Sequence, residues 1–116
     1  MKRRFRLTRS SDFQRVRRSG KSYAHPLVVL FVLASDAPGI RVGVAAGRTA
    51  GNAVQRNRAK RLLRAAMQNV YQKIVPGFDL VLISRQPLPL ANLNQTQDAL
   101  CALLNRAGLL SPTHDG

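Results

Sequence analysis

Residues 41–66 read RVGVAAGRTAGNAVQRNRAKRLLRAA, and the change of character inside this stretch decides the fold. Its first residues, with Ile40, form IRVGVAA (40–46), a short β-branched and small-residue run of the kind that makes a strand. Asn52 then supplies a good helix N-cap, and no breaker follows until Pro76-Gly77. Ala59, Leu62, Leu63, Ala66, Met67, Val70 and Ile74 recur at steps of three, one and four, which draws one apolar stripe along a long helix. At 100° per residue Asn57, Arg61, Arg64 and Gln68 fall opposite the stripe. Arg56 and Lys60 take one shoulder of that polar face and Arg58 the other. The last eleven residues of the stretch hold five cations and no acid. A solvated helix normally interleaves both signs, so this face is built for an external anion.

Upstream, LVVLFVLA (27–34) suits a strand buried on both faces, and SDAPG (35–39) is turn chemistry. The two together suggest an antiparallel pair with 40–46. Ser11 and Gln14 have capping-box spacing and open a short helix through Phe13, Val16 and Arg17, with Gly20 expected to stop it in a left-handed conformation. Downstream, FDLVLIS (78–84) reads as a third strand and PLPLANLN as a connection. A last helix is expected from about Asn94 to Ala107, ended by Gly108. The order helix, two strands, long helix, strand, helix defines an α+β protein: a small sheet partly covered by helices, with a βαβ crossover that the general rule would make right-handed. The chain reads as one domain over 1–116 with a frayed tail from about 109.

Composition narrows the function. Nineteen Lys and Arg face five Asp and no Glu, for a net charge of +14, and Arg outnumbers Lys fifteen to four. That excess favours planar, bidentate contacts to phosphate. The charge is zoned: nine cations lie in 2–21 and seven in 41–64, whereas 79–116 holds only Arg85 and Arg106 against three Asp. Cys101 is the sole cysteine, set among Leu100, Leu103 and Leu104, so intrachain disulfides and Cys-based zinc sites are excluded. The basic start, MKRRFRLTRSSDF, has no apolar segment behind it and does not read as a secretory signal. The longest apolar run is too short to span a bilayer, and a cytoplasmic location is expected.

Catalysis by the protein itself finds little support. His25 precedes Pro26, His114 lies in the tail, and the carboxylates are scattered along the chain. The glycines of VGVAAGRTAGN match neither a Walker loop nor a dinucleotide fingerprint. Nucleic acid is the better partner. A strand rather than a helix–turn precedes the basic helix, which argues against major-groove DNA reading. Phe13, Tyr23 and Phe31 offer stacking surfaces beside a sheet, as single-stranded RNA requires, although spacing alone also fits ordinary core packing for Phe13 and Phe31. A structural RNA binder such as a small ribosomal protein shares this charge and size, and a protein endonuclease acting alone is a third class.

Arg41-Val42-Gly43, Gly51-Asn52-Ala53-Val54 and Arg56-Asn57-Arg58 with Lys60-Arg61 and Arg64 closely resemble the signature of the bacterial ribonuclease P protein component. RLTRSSDFQRVRRSG (6–20) and FDLVLISR (78–85) extend the resemblance over about residues 2–108. It implies a small α–β sandwich with a left-handed crossover, contrary to the general rule. It also implies the small subunit of an endoribonuclease that removes the 5′ leader of precursor tRNA, with the catalytic centre and its Mg²⁺ on the RNA subunit and no catalytic or metal-binding residue on this chain. Its implied partners are the catalytic RNA and precursor tRNA, with no membrane and no protein partner. By resemblance Arg48, Asn52, Arg56, Asn57, Arg58, Lys60, Arg61 and Arg64 dock on the catalytic RNA, and Phe13, Arg17, Phe31 and Arg41 line the leader groove. Arg17 departs from a common aromatic, Thr49 from a frequent Lys, and Ala65 from a common Glu.

Overall fold

The computed structural model describes residues 6–47 and 51–110. Three helices, α1 (Ser10–Ser19), α2 (Ala53–Val70) and α3 (Leu93–Arg106), accompany four strands, β1 (Lys21–Ala24), β2 (Val28–Ala34), β3 (Ile40–Ala46) and β4 (Phe78–Ser84). The sheet runs β1-β2-β4-β3, with β4 antiparallel to β2 and parallel to β3. α2 is therefore the crossover of a β3-α2-β4 unit.

Strand alternation divides the side chains between two faces. Val28, Leu30, Val42, Leu80 and Leu82 point to one face, where Ala59, Leu63, Ala66, Met67 and Val70 of α2 meet Ala99, Leu100, Leu103 and Leu104 of α3. Cys101 packs half-buried at the margin of this cluster. Truncating any of its fully buried leucines to Ala would cost about 2–5 kcal/mol. On the opposite face Leu7, Val16 and Val81 form a smaller cluster, against which Phe13, Phe31, Leu33 and Ile83 pack half-buried. α1 covers only part of that face, so a groove remains beside it.

Both longer helices start on a complete capping box. Asn52 Oδ1 accepts from Gln55 N at 2.9 Å while Gln55 Oε1 accepts from Asn52 N at 3.0 Å, and Asn92 with Gln95 repeats the pattern. Each box satisfies two backbone donors that a helix start otherwise leaves open.

Several expectations are corrected. β2 and β3 are not a hairpin pair, because β4 lies between them. The SDAPG turn brings the strands to the same sheet, but β4 pairs over its full length with both of them, and Asp79 finds cations on β3 and α1 there. α1 begins at Ser10 behind Arg9, which makes no side-chain cap, so Ser11 and Gln14 form no capping box. Gly20 has φ −85° and is not left-handed; a Cβ there would lie 2.6 Å from the carbonyl oxygens of Val16 and Val32, so close approach of α1 to β2 demands the glycine. β1, unanticipated, follows immediately. α2 closes at Val70 with a 3₁₀ turn over Tyr71–Lys73, although its apolar stripe continues to the buried Ile74. The chain stays docked beyond 109: Leu109 is buried and Leu110 pairs with Ile74, while the rest of the expected tail lies outside the described residues.

Candidate nucleic-acid interface

The stripe that docks α2 on the sheet fixes where its cations point. Arg56, Asn57 and Lys60 turn toward α1 and line a cleft of about 530 Å³, whose far wall carries Phe13 and Gln14 and whose floor is Val44–Ala46 of β3. One turn further on, Arg64 lines an adjoining cleft with Arg6, Leu7, Thr8 and Phe13. Burial first, then the nearby charge of Arg6, lowers the pKa of the Arg64 guanidinium. No carboxylate lines either cleft among the described residues. Like charges held together without a counter-ion favour a polyanion from outside.

Arg61 is exposed on the outer face, and Arg58 occupies the opposite shoulder, where its Nε donates to Pro89 O at 2.7 Å. That bond ties α2 to a 3₁₀ turn over Leu88–Leu90. Asn52 has spent its side-chain oxygen on the capping box, so its role in the fold is structural. Arg48 and Thr49 lie outside the described residues.

The second group assembles around α1. Phe13 lies over Gly43, where a Cβ would come 2.7 Å from Phe13 Cζ; the glycine is a seat for the ring. One turn later Arg17 holds its guanidinium 5.6 Å from the centroid of Phe31, within cation–π range. Arg17, Phe31, Gln14 and Arg18 line a shallow groove, again without a carboxylate. Position 17, where the resemblance implies an aromatic, thus carries a cation over the neighbouring ring.

Arg41 is placed differently. Its Nε and Nη2 donate to Asp79 Oδ1 and Oδ2 at 2.8 and 2.7 Å, and Arg15 Nη2 reaches the same Oδ2 at 2.7 Å. Asp79 is fully buried, and Asp12 bridges to Arg15 at 3.3 Å. Burial is the largest influence on the Asp79 carboxyl and pushes it up. The hydrogen bonds and charges of Arg41 and Arg15 outweigh it, leaving the group below its ordinary value. Arg41 is thus committed first to joining β3, β4 and α1. Sequence reasoning missed Asp79 and Arg15; a lone Asp in an apolar strand is the signal that a buried ion pair exists, but not with whom.

Elsewhere, His25 Nδ1 accepts from Leu27 N at 3.0 Å, and Arg85 and Arg106 donate to the carbonyls of His25 and Ala24. These groups secure the β1–β2 corner. Arg6, Arg17, Arg18, Arg56, Lys60 and Arg64 line the clefts around α1 and α2.

A partly covered sheet with cation-lined grooves and half-buried aromatic rings defines a class: a small α+β protein with a strongly basic, grooved surface. The model of the ribonuclease P family matches residues 1–108. The ribonuclease P protein component of Herpetosiphon aurantiacus is 41% identical over 109 residues, covering 94% of this chain and 89% of that one. The 2.0 Å structure of the Staphylococcus aureus RNase P protein superposes with a TM-score of 0.80 at 29% identity, over 92% of this chain and 98% of that one. The RNase P protein of Thermotoga maritima gives 0.77 at 28%, over 87% and 96%. The chain belongs to the bacterial ribonuclease P protein family. It is accordingly the protein part of an endoribonuclease that processes the 5′ leader of tRNA, which sets aside the ribosomal alternative.

Proposed function

We propose that the basic face of α2 docks on the catalytic RNA through Arg56, Asn57, Arg58, Lys60, Arg61 and Arg64, and that the groove beside α1 receives the single-stranded leader of precursor tRNA. The observation that carries this reading is the set of clefts around α1 and α2, each lined by cations and none by a carboxylate among the described residues. Carboxylates there would compete with phosphate for the same guanidiniums. Phe31 with Arg17, and Phe13 on its glycine seat, offer stacking surfaces for leader bases. Arg41 contributes by holding the groove wall in place.

Bond breaking falls to the RNA partner, whose Mg²⁺ supplies the charge stabilisation that phosphoryl chemistry needs. Among the described residues no group of three or more His, Cys, Asp or Glu is gathered for a metal, and the buried carboxylate Asp79 is taken up by two arginines. The protein's contribution is to bind and orient. No helix among the described residues is long and apolar enough to cross a membrane, and the proposed setting is the cytoplasm.

Reconstitution tests this reading. The protein is combined with a ribonuclease P RNA at Mg²⁺ too low for the RNA alone, and 5′ processing of precursor tRNA is followed. Restored cleavage is expected, with none by the protein alone. Cleavage by protein alone, or no restoration, contradicts the assignment.

A further inference from the structure

Between α3 and the β1–β2 corner lies a groove of about 470 Å³ whose character is opposite to that of the basic clefts. Leu27, Pro87, Leu90, Ala91 and Ala99 make its apolar lining, and the exposed Asp98 stands beside them. No Lys or Arg lines it among the described residues, whereas each cleft around α1 and α2 carries them. Asp98 has no ion-pair partner among those residues, whose ion pairs all belong to the Asp79 cluster. The lip of the groove is stiff. Leu88 is buried in the core, Arg58 Nε holds Pro89 O at 2.7 Å, and Ala91 N donates to Leu88 O at 2.9 Å. Pinned in this way, the 3₁₀ turn leaves Leu90 87% exposed. Across the groove, His25 is fixed through Leu27 N on its Nδ1 and Arg85 Nη1 on its carbonyl.

A single exposed leucine needs no explanation, but one held rigidly at the lip of an apolar groove has the form of a docking anchor. Charge selects the occupant. A carboxylate and the lack of cations disfavour RNA, and two copies of a chain at +14 repel each other. We propose that this groove docks another protein, through a short segment that seats an apolar side chain against Leu27 and Leu90 and pairs a Lys or Arg with Asp98. The family resemblance implies no protein partner, so this surface adds one to the RNA-directed side of the molecule. Arg58 and the groove share the Leu88–Leu90 turn, so the docked segment lies beside α2 without entering the basic clefts. The proposal stands apart from the RNA-binding role argued above.

The test uses holoenzyme reconstituted with a ribonuclease P RNA, which masks the basic clefts. A displayed library of random dodecapeptides is selected on it and depleted on holoenzyme carrying Leu90→Asp. The surviving peptides should share an apolar anchor with a Lys or Arg close by. Made synthetically, they should bind the Leu90→Asp variant at least about 10-fold more weakly than wild type, as loss of a central anchor does. They should bind Asp98→Asn about 2- to 5-fold more weakly, as loss of a rim ion pair does. Both side chains face solvent, so both variants should melt with wild type and process precursor tRNA at its rate. If no peptide survives depletion, or the survivors are acidic, the proposal is overturned. It is overturned in favour of RNA if Leu90→Asp weakens assembly with the catalytic RNA, and in favour of a second copy if wild type sediments as a dimer and Leu90→Asp as a monomer. Failure to form holoenzyme removes the RNA-binding role instead, and the same selection and depletion are then run on the free chain.

Discussion

Asp79→Asn isolates the interaction that locks α1 over the sheet. The carboxylate accepts three hydrogen bonds of 2.7–2.8 Å, two from Arg41 and one from Arg15, and is itself 0% exposed. An asparagine keeps the shape but turns an NH₂ toward guanidinium donors and removes the charge. Charged hydrogen bonds contribute about 1.5–3 kcal/mol each, and breaking a buried pair costs about 3–5 kcal/mol. The two guanidiniums are 40% and 37% exposed, so water recovers part of their loss, and the net cost should be about 2–4 kcal/mol. For a domain of this size that lowers Tm by on the order of 10 °C. Because the folded carboxyl sits below its ordinary value, its contribution is fully present above the unfolded pKa of about 4 and is lost as pH falls through the lower folded value. Thermal melts by circular dichroism should show a constant gap between wild type and variant from pH 5 to 8, closing under stronger acid. A variant within 2 °C of wild type at pH 7, or a gap that widens on acidification, would refute the reasoning.

Further outcomes follow from the same geometry. Arg61→Ala should weaken assembly with catalytic RNA at unchanged Tm, whereas Arg58→Ala should lower Tm as well, since its Nε holds Pro89 O; filter binding and melts on both variants check the split. Gly43→Ala places a methyl 2.7 Å from Phe13 Cζ and should cost about 1–3 kcal/mol while weakening leader-bearing precursor more than mature tRNA, read by competition binding.

How much of this was legible in the sequence varied with the range of the interactions. α2 was readable because its signals are local: Asn52 with Gln55 caps it and one apolar stripe orients it, so the splitting of Arg56 and Lys60 from Arg58 survived into three dimensions. α3 and β4 were found for similar reasons. The strand order was not readable, because a short turn between two apolar runs argues for a hairpin and nothing local announces that β4 will enter between them. β1 was missed because KSYA is short and half polar, its strand state imposed by pairing with β2. Arg41 looked like one more groove cation, since a buried aspartate 38 residues away leaves no trace near it in the sequence. Gly20 shows that a right residue can be assigned for the wrong reason: space, not handedness, requires it.

The central claim, that α2 and its cleft hold RNA phosphate through unneutralised cations, is tested most directly by salt. The five cations of α2 would neutralise about five phosphates, so log affinity for the catalytic RNA should fall against log salt with a slope of roughly −3.5 to −4.5. The double variant Arg56→Ala, Lys60→Ala should flatten that slope by about 1.5. An affinity indifferent to salt, or an unchanged slope in the double variant, would contradict the account.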